Sequence, residues 1–256
     1  MRIRIAGLSV ELIKVTELTP QQNEEIWQFA SQYTHSDKEG FFASLHQKRD
    51  AVLMRRKKDG PLLGIGGVLT FRLKCGDEER IVLFPGDALF DPAIRGKNLI
   101  EKIGFLYYLE ALYRYRGIPI YTAFGTFSYK SYRVLRRSYD TFWPRYDCPI
   151  PPEELTFLQE VALRTYGNCL RISSEAVVSR ATKALHDHVA PIDEALLTDP
   201  DIRFFQKHLP DYGEGSVLLC VVPLTWENWR STVRKIWERQ LHLQKKRLRS
   251  IAPIRT

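Results

Sequence analysis

Residues 81–100, which read IVLFPGDALFDPAIRGKNLI, decide the fold of this chain. The pattern predicts an apolar strand that ends at Phe90, a short turn, and a long amphipathic helix that begins just beyond the basic step Arg95–Lys97. A turn that leads into a helix presents free N–H groups and the positive end of the helix dipole to an anion. The stretch therefore predicts a site for a phosphate-bearing ligand that main-chain groups hold beside the strand.

The composition is that of a folded domain with a full core. The chain has 256 residues, of which 44% are hydrophobic and 27% are charged. The longest apolar run, residues 217–222, is far too short to span a bilayer, and the first residues lack a signal-peptide hydrophobic stretch. The four cysteines are scattered without a Cys-x-x-Cys pair, which predicts reduced structural thiols. We therefore expect a cytoplasmic protein.

The net charge of +8 is concentrated in two basic clusters, at residues 114–145 and 230–249. A solvated helix face explains each cluster, and the functional alternatives are a phosphorylated cofactor, an acidic protein partner or nucleic acid. Nucleic acid ranks last, because the sequence has no zinc-finger spacing and no aromatic RNA-binding signature. The closest histidine pair, His186 and His188, falls in a stretch that reads as helix, where residues two apart point away from each other. We expect no metal site.

The order of elements up to residue 137 is strand, two helices, three strands, helix, strand and helix. Short turns join the middle strands, which predicts antiparallel pairing, whereas the strand–helix–strand unit of residues 80–124 predicts a parallel pair. Glycines at positions 64, 66 and 67 of a predicted strand indicate a bulge or a close backbone approach. The sequence thus predicts an α/β fold with a mixed, mainly antiparallel central sheet and helices on both faces.

Residues 8–146 resemble the GNAT superfamily of N-acyltransferases. The resemblance rests on the element order and on the segment after the central strand, where the family shows the pattern V-x-P-x-[Y]-[QR]-x-x-G-x-[GA]. Two positions depart from it, because Asn98 stands where glycine is usual and Ile100 where glycine or alanine is usual. The positions that fit are Phe90, Pro92, Arg95-Gly96-Lys97 and Leu99.

The resemblance implies an acyl-thioester donor, acyl-CoA or the phosphopantetheine of an acyl carrier protein, and a primary amine acceptor. The pantetheine arm would lie in a gap along the exposed edge of the strand, beside residues 88–90. A backbone N–H of Leu89 or Phe90 would stabilise the tetrahedral oxyanion. The pyrophosphate would bind the N–H groups of Arg95, Gly96, Lys97, Asn98, Leu99 and Ile100.

The resemblance also implies two catalytic roles. Asp87 is the candidate base that removes a proton from the acceptor amine, and the alternative is a structural carboxylate in a salt bridge. Asp91 is expected to satisfy free N–H groups at the start of the next helix. Leu135 stands at the position of the family's usual tyrosine, so Tyr132, one turn before it, is the candidate acid for the leaving thiolate, and Tyr139 lies one turn after it. The alternatives are structural tyrosines, or no acid at all.

Residues 148–256 extend beyond the acyl-thioester-binding core, which we place at residues 1–147. The pattern predicts helices over residues 153–166, 174–189 and 201–208, a buried strand over 217–222 and a final helix capped by Thr225. This extension is expected either to complete the sheet or to cap the acceptor cleft.

Ten tyrosines and phenylalanines between residues 107 and 139 form either a well-filled core or a channel for an acyl chain longer than acetyl. The sequence favours an N-acyltransferase that acts on a small molecule, an amino acid or a peptide. The alternative is a noncatalytic binding module of the same fold, which recognises a CoA-type thioester or an acidic protein partner.

Overall fold

The computed structural model describes residues 1–167, 170–181 and 190–251, with side chains as far as residue 242. In this part of the chain, nine strands form one sheet in the order β1-β2-β3-β4-β5-β6-β9-β8-β7. The strands are β1 Arg2–Ile5, β2 Leu8–Lys14, β3 Asp50–Arg55, β4 Leu62–Cys75, β5 Glu78–Phe90, β6 Ile120–Thr126, β7 Leu170–Ile172, β8 Val177–Arg180 and β9 Ser216–Pro223.

All neighbouring strands pair antiparallel except β5 and β6, which pair parallel across the helix between them. The predicted mixed, mainly antiparallel sheet is therefore confirmed. The helices are α1 Pro20–Ala30, α2 Lys38–Leu45, α3 Leu99–Arg114, α4 Tyr129–Ser138, α5 Pro152–Tyr166, α6 Pro200–His208 and α7 Trp226–Ile251. None of the helices in the described ranges is long and apolar enough to cross a membrane.

The helices cover both faces of the sheet, because alternate residues of a strand point to opposite sides. Ile81 and Leu83 contribute to the cluster that α3, α4, α6 and α7 cover. Val82 and Phe84 pack instead with α5, and Leu53 and Ile65 pack with α1 and α2. The central strands are thus buried on both sides.

A buried ion pair fixes α5 to the sheet where β5 meets β6. Arg80 donates to Glu154 over 3.0 Å, and its guanidinium lies 4.8 Å from the ring centres of both Tyr121 and Phe157. Tyr121 donates to the same carboxylate over 3.1 Å. The paired and hydrogen-bonded carboxylate offsets the cost of burying the guanidinium charge at this junction, although the Nε of Arg80 has no hydrogen-bond partner.

The residues after 147 extend the sheet, one of the two alternatives that the sequence left open. β9 pairs with β6 along Tyr121–Thr126, and β8 and β7 follow it. The division into a core of residues 1–147 and an extension of residues 148–256 remains a prediction.

One predicted element was wrong in its described part. Residues 174–181 were expected to begin a helix, but Val177–Arg180 form strand β8; residues 182–189, which hold both His186 and His188, lie outside the described residues. Pairing with β9 decides the outcome, since Val178 and Ser179 face Leu218 and Val217 across the ladder. The edge strands β1 and β7 were not predicted.

Candidate active site

Strands β5 and β6 separate from each other part-way along their length. They pair over only three residues, Ile81–Leu83 against Ile120–Thr122. The hydroxyl of Thr122 donates to the carbonyl of Leu83 over 3.0 Å at the end of this contact. Beyond it, β5 stays paired with β4 as far as Phe90, whereas β6 pairs with β9 on its other side. A gap therefore opens between β5 and β6 toward Phe90.

A cavity of about 550 Å³ occupies this gap, a volume within the range of small-molecule sites. Its lining includes the β5 residues from Leu83 to Phe90. Ser44 of α2 lines it from one face of the sheet, and Gly104 of α3 and Trp229 of α7 line it from the other. The cavity is therefore a passage through the sheet, with access for groups from both faces.

Asp87 lies on a β-bulge in the wall of this passage. The register between β4 and β5 shifts between Ile65 and Gly67, so that Asp87 and Ala88 together face Gly66. Asp87 has a φ of +53°. This left-handed conformation costs a non-glycine residue about 1–2 kcal/mol. Strained residues of this kind cluster at functional sites.

Asp87 is buried, with 8% of the residue exposed, and it lines the cavity. The hydroxyl of Ser44 lies 3.2 Å from one carboxylate oxygen and 3.4 Å from the other, and donates to them. A buried carboxylate at a cavity wall can accept a proton from a bound ammonium group. The structure therefore places Asp87 where the sequence predicted a base, and adds Ser44, which sequence reasoning missed.

The open edge of β5 presents the main chain of Phe90 to the gap. The N–H of Asp91 donates to the carbonyl of Leu63 on β4 over 2.8 Å. Because successive residues of a strand point their N–H groups in opposite directions, the N–H of Leu89 also faces β4, and that of Phe90 faces the gap. Of the two predicted oxyanion donors, Phe90 is therefore the better placed.

The bend between β5 and α3 follows a short 3-10 turn at Pro92–Ile94. Asp91 caps this turn, as expected, by accepting from the N–H of Ala93 over 2.7 Å. Gly96 then adopts a φ of +76°, and no heavy atom lies within 4 Å of the position that a Cβ would occupy there. The main chain is therefore accessible at Gly96.

Asn98 precedes α3 in a left-handed conformation, with a φ of +53°, and its side chain does not cap the helix. The first N–H groups of a helix have no intrahelical acceptor. Leu99 is buried in the core, so it offers only its main chain to the bend, whereas the Ile100 side chain is 43% exposed and lines the cavity. This bend can bind an anion through its main chain.

Two cations flank the bend, each held by a main-chain carbonyl. Arg95 donates to Phe90 over 3.1 Å, and Lys97 donates to Ala6 over 3.4 Å. Both residues adjoin the N-terminus of α3, where positive charge adds to that of the helix dipole.

Tyr132 does not reach the cavity. Its side chain is fully buried among Phe142, Phe204 and Phe205, and its hydroxyl donates to the carbonyl of Pro144 over 3.0 Å. Burial raises the pKa of Tyr132 well above its usual range. The structure therefore does not support Tyr132 as the proton donor, because α6 and the loop after α4 enclose the face of α4 on which it lies. Tyr139, which directly follows α4, does line the cavity.

Lys48 is a cavity residue that the sequence did not reveal. It follows α2, and its ammonium lies 5.2 Å from the centre of the Phe84 ring. Burial lowers the pKa of Lys48 to about 8. The glycines of β4 are the one feature of the sequence that could have indicated this lysine, because its side chain lies directly against Gly67.

The described members of the two basic clusters are largely engaged with carboxylates. Four pairs illustrate this: Arg133 with Asp199, Arg136 and Arg145 with Asp147, and Lys235 with Asp140. These contacts favour the interpretation of structural, solvated helix faces. Among the residues that the structure describes, no group of three or more potential ligands could hold a metal ion.

No protein-family model and no curated protein matches the sequence. Among solved structures, the ribosomal-protein-alanine N-acetyltransferase from Brucella melitensis biovar Abortus 2308 is 14% identical, with 54% of this chain and 96% of that chain covered, at a TM-score of 0.38. The N-myristoyltransferase of Saccharomyces cerevisiae with bound myristoyl-CoA is 11% identical, with 49% of this chain and 30% of that chain covered, at a TM-score of 0.37. A conserved protein of unknown function from Enterococcus faecalis V583 is 15% identical, with 49% of this chain and 31% of that chain covered, at a TM-score of 0.35.

The match thus spans about a third of the length of the yeast and Enterococcus chains. These are likenesses of fold, and no activity is inferred from them. The strand order and the one parallel strand pair agree with the mixed, mainly antiparallel α/β fold that the sequence predicts.

Proposed function

We propose that the chain is an N-acyltransferase that transfers an acyl group from an acyl thioester, acyl-CoA in the first instance, to a primary amine. The observation that carries the proposal is the passage between β5 and β6, with a carboxylate, Asp87, in its wall and an accessible main-chain bend, Gly96–Ile100, at its edge. These are the parts that thioester-to-amine transfer requires: a channel, a base and an anion site.

The donor would be held mainly by the backbone. The N–H groups from Gly96 to Ile100, with Arg95 and Lys97 beside them, suit a pyrophosphate. Phe90 offers the open edge of β5 to the amide groups of a pantetheine arm. Since one well-placed N–H contributes about 3 kcal/mol to a tetrahedral intermediate, the N–H of Phe90 is our candidate oxyanion donor.

The amine must lose a proton before it attacks the thioester carbonyl. Asp87 would accept this proton, with Ser44 holding the carboxylate in position through its hydroxyl. A positioned base of this kind contributes about 10²–10⁴-fold to the rate. The nitrogen then forms the new amide bond as the carbon–sulfur bond breaks.

The leaving thiolate has a pKa near 8.5, so it does not require a proton donor in the transition state. If a phenol assists it, Tyr139 is better placed than Tyr132, because Tyr139 lines the cavity. The proposal therefore assigns no obligatory acid.

An acyl chain longer than acetyl is the finer part of the proposal. The lining is mostly apolar and includes Met54, Ile65, Val68 and Leu135. Since each buried methylene contributes about 0.8 kcal/mol, a medium chain would bind more tightly than acetyl. A carrier-protein donor has less support, because Lys235, one of the basic residues on α7, already pairs with Asp140.

The test begins with native mass spectrometry of the protein with CoA, acetyl-, octanoyl- and palmitoyl-CoA and an acyl carrier protein. Transfer from each bound donor to a panel of amines is then measured. We expect Asp87→Asn to bind the donor normally and to lose at least about 100-fold in kcat. The matched control is Asp77→Asn, an exposed carboxylate in the turn between β4 and β5.

The proposal fails if no thioester binds. It also fails if a thioester binds and no amine in the panel is acylated, which would favour the noncatalytic binding module.

A further inference from the structure

Lys48 lies across two glycines that face each other in the sheet. Gly67 of β4 and Gly86 of β5 are paired in register. A Cβ on Gly67 would lie 2.7 Å from the Cγ of Lys48, and a Cβ on Gly86 would lie 3.0 Å from its Cε. Any larger residue at position 67 would displace this side chain. The two glycines therefore leave the space in which the Lys48 side chain lies as it extends into the cavity.

No carboxylate in the described part of the chain forms an ion pair with the Lys48 ammonium, and burial alone lowers its pKa. Its neighbour Arg49 is different, since it binds both Asp50 and Glu110. The Phe84 ring is the neighbour of this ammonium, at 5.2 Å, and a cation that is half-buried in a mostly apolar cavity without an anionic partner is unfavourable. An anionic group of a ligand would supply the missing partner.

The other charged groups of the lining suggest which ligand carries this anion. They are Asp87, Arg180 and Glu101, of which Glu101 already accepts from Ser138 over 2.8 Å. Asp87 follows Gly86, the glycine beneath the lysine, and contacts Ser44 of α2. A carboxylate for an ammonium group and an ammonium for a carboxylate therefore line the same cavity, on neighbouring parts of β5 and α2.

We propose that Lys48 binds a carboxylate of the amine acceptor, so that the acceptors of this chain are amino acids and related amines that carry a carboxylate. This inference rests on the proposed N-acyltransferase function and names its substrate class. The acceptor nitrogen faces Asp87, and the acceptor carboxylate pairs with Lys48.

The first test compares glycine, β-alanine and phenylalanine with their amides as acceptors, after correction for the fraction of neutral amine. The wild-type protein is expected to favour each acid over its amide by about 10- to 100-fold in kcat/KM, the range of one charge-assisted hydrogen bond. Lys48→Met is expected to abolish this preference by raising the KM of the acids and to leave transfer to the amides intact. Lys58→Met, in the exposed turn between β3 and β4, is the control and keeps the preference.

A second test needs no turnover. The rate at which acetic anhydride labels Lys48 is followed by peptide mass spectrometry in the presence of N-octanoylglycine or N-octanoylglycinamide. The acid is expected to protect Lys48 at a concentration at least about tenfold lower than the amide requires, because only the acid carries the charge.

Three results would overturn the inference. The first is that the acids and the amides are acylated equally well. The second is that the two probes protect Lys48 equally, or not at all. The third is that Lys48→Met also abolishes transfer to the amides, which would place Lys48 in the chemistry itself. If transfer is observed, the first and second results contradict only the role of Lys48 and leave the N-acyltransferase function supported. If no donor gives transfer to any amine, the N-acyltransferase function itself is refuted.

Discussion

Gly104 offers a way to fill the cavity without disturbing the rest of the protein. It lies within α3 and lines the passage, and apart from the adjacent backbone of α3 no heavy atom lies within 4 Å of the position of an added Cβ. Glycine inside a helix is about 0.8–1 kcal/mol less favourable than alanine, and leucine is nearly as good a helix former as alanine. Gly104→Leu should therefore stabilise the protein, while its side chain occupies space that a donor needs.

We expect Gly104→Leu to raise the free energy of unfolding by up to about 1 kcal/mol, which is an increase of about 2–4 °C in Tm for a chain of this size. The affinity for octanoyl-CoA should fall at least about tenfold, or 1.4 kcal/mol, because the side chain and the donor compete for one volume.

Thermal unfolding measures the first effect and isothermal titration calorimetry the second. Gly104→Ala is the matched control, since it removes the helix penalty and adds one methyl group, and it should keep most of the affinity. The reasoning is refuted if Gly104→Leu binds octanoyl-CoA as the wild type does, or if the variant is destabilised.

Three further predictions concern the packing around the site. Glu154→Ala leaves the Arg80 guanidinium buried without its carboxylate, and should lower the free energy of unfolding by about 3–5 kcal/mol in urea titrations, so that a loss below 1 kcal/mol contradicts the role of this pair. Tyr132→Phe should cost about 1 kcal/mol in the same assay and leave kcat unchanged; a large loss of kcat would restore Tyr132 as the acid. Because the pKa of Lys48 falls from 10.5 to about 8 on folding, the unfolded chain binds more protons than the folded chain between these values. The stability of the wild type relative to Lys48→Met should therefore rise by up to about 3 kcal/mol from pH 8 to pH 10.5, and a difference independent of pH would contradict this.

The sequence predicted the parts of the site that are local in the chain. The strand, the turn and the start of α3 between residues 81 and 100 follow from the apolar run, Pro92 and the basic step, and the structure has them at those positions. Asp87 was singled out because the resembling family carries a carboxylate on this strand, and because an unpaired carboxylate on an apolar strand is costly. The left-handed backbone conformation of Asp87 was not predicted, because the bulge depends on the register of β5 against Gly66 of β4.

The parts that depend on packing between distant elements were missed or wrong. Ser44 and Lys48 reach the cavity because α2 and the loop after it lie over β4 and β5, which no local pattern encodes. Tyr132 was assigned to the site because relatives carry a tyrosine on this helix and Tyr132 lies one turn from the matching position, but the packing of α6 decides which face of α4 is enclosed. Val177–Arg180 became a strand because β9 offered an edge.

The proposed function requires that the passage between β5 and β6 holds an acyl thioester. A crystal structure with octyl-CoA, a thioether that cannot transfer its alkyl group, tests this claim most directly. We expect the pantetheine arm in the passage beside Phe90, and the pyrophosphate within hydrogen-bond distance of N–H groups between Gly96 and Ile100. A ligand bound elsewhere with the passage empty, or no binding at saturating concentration, would contradict it.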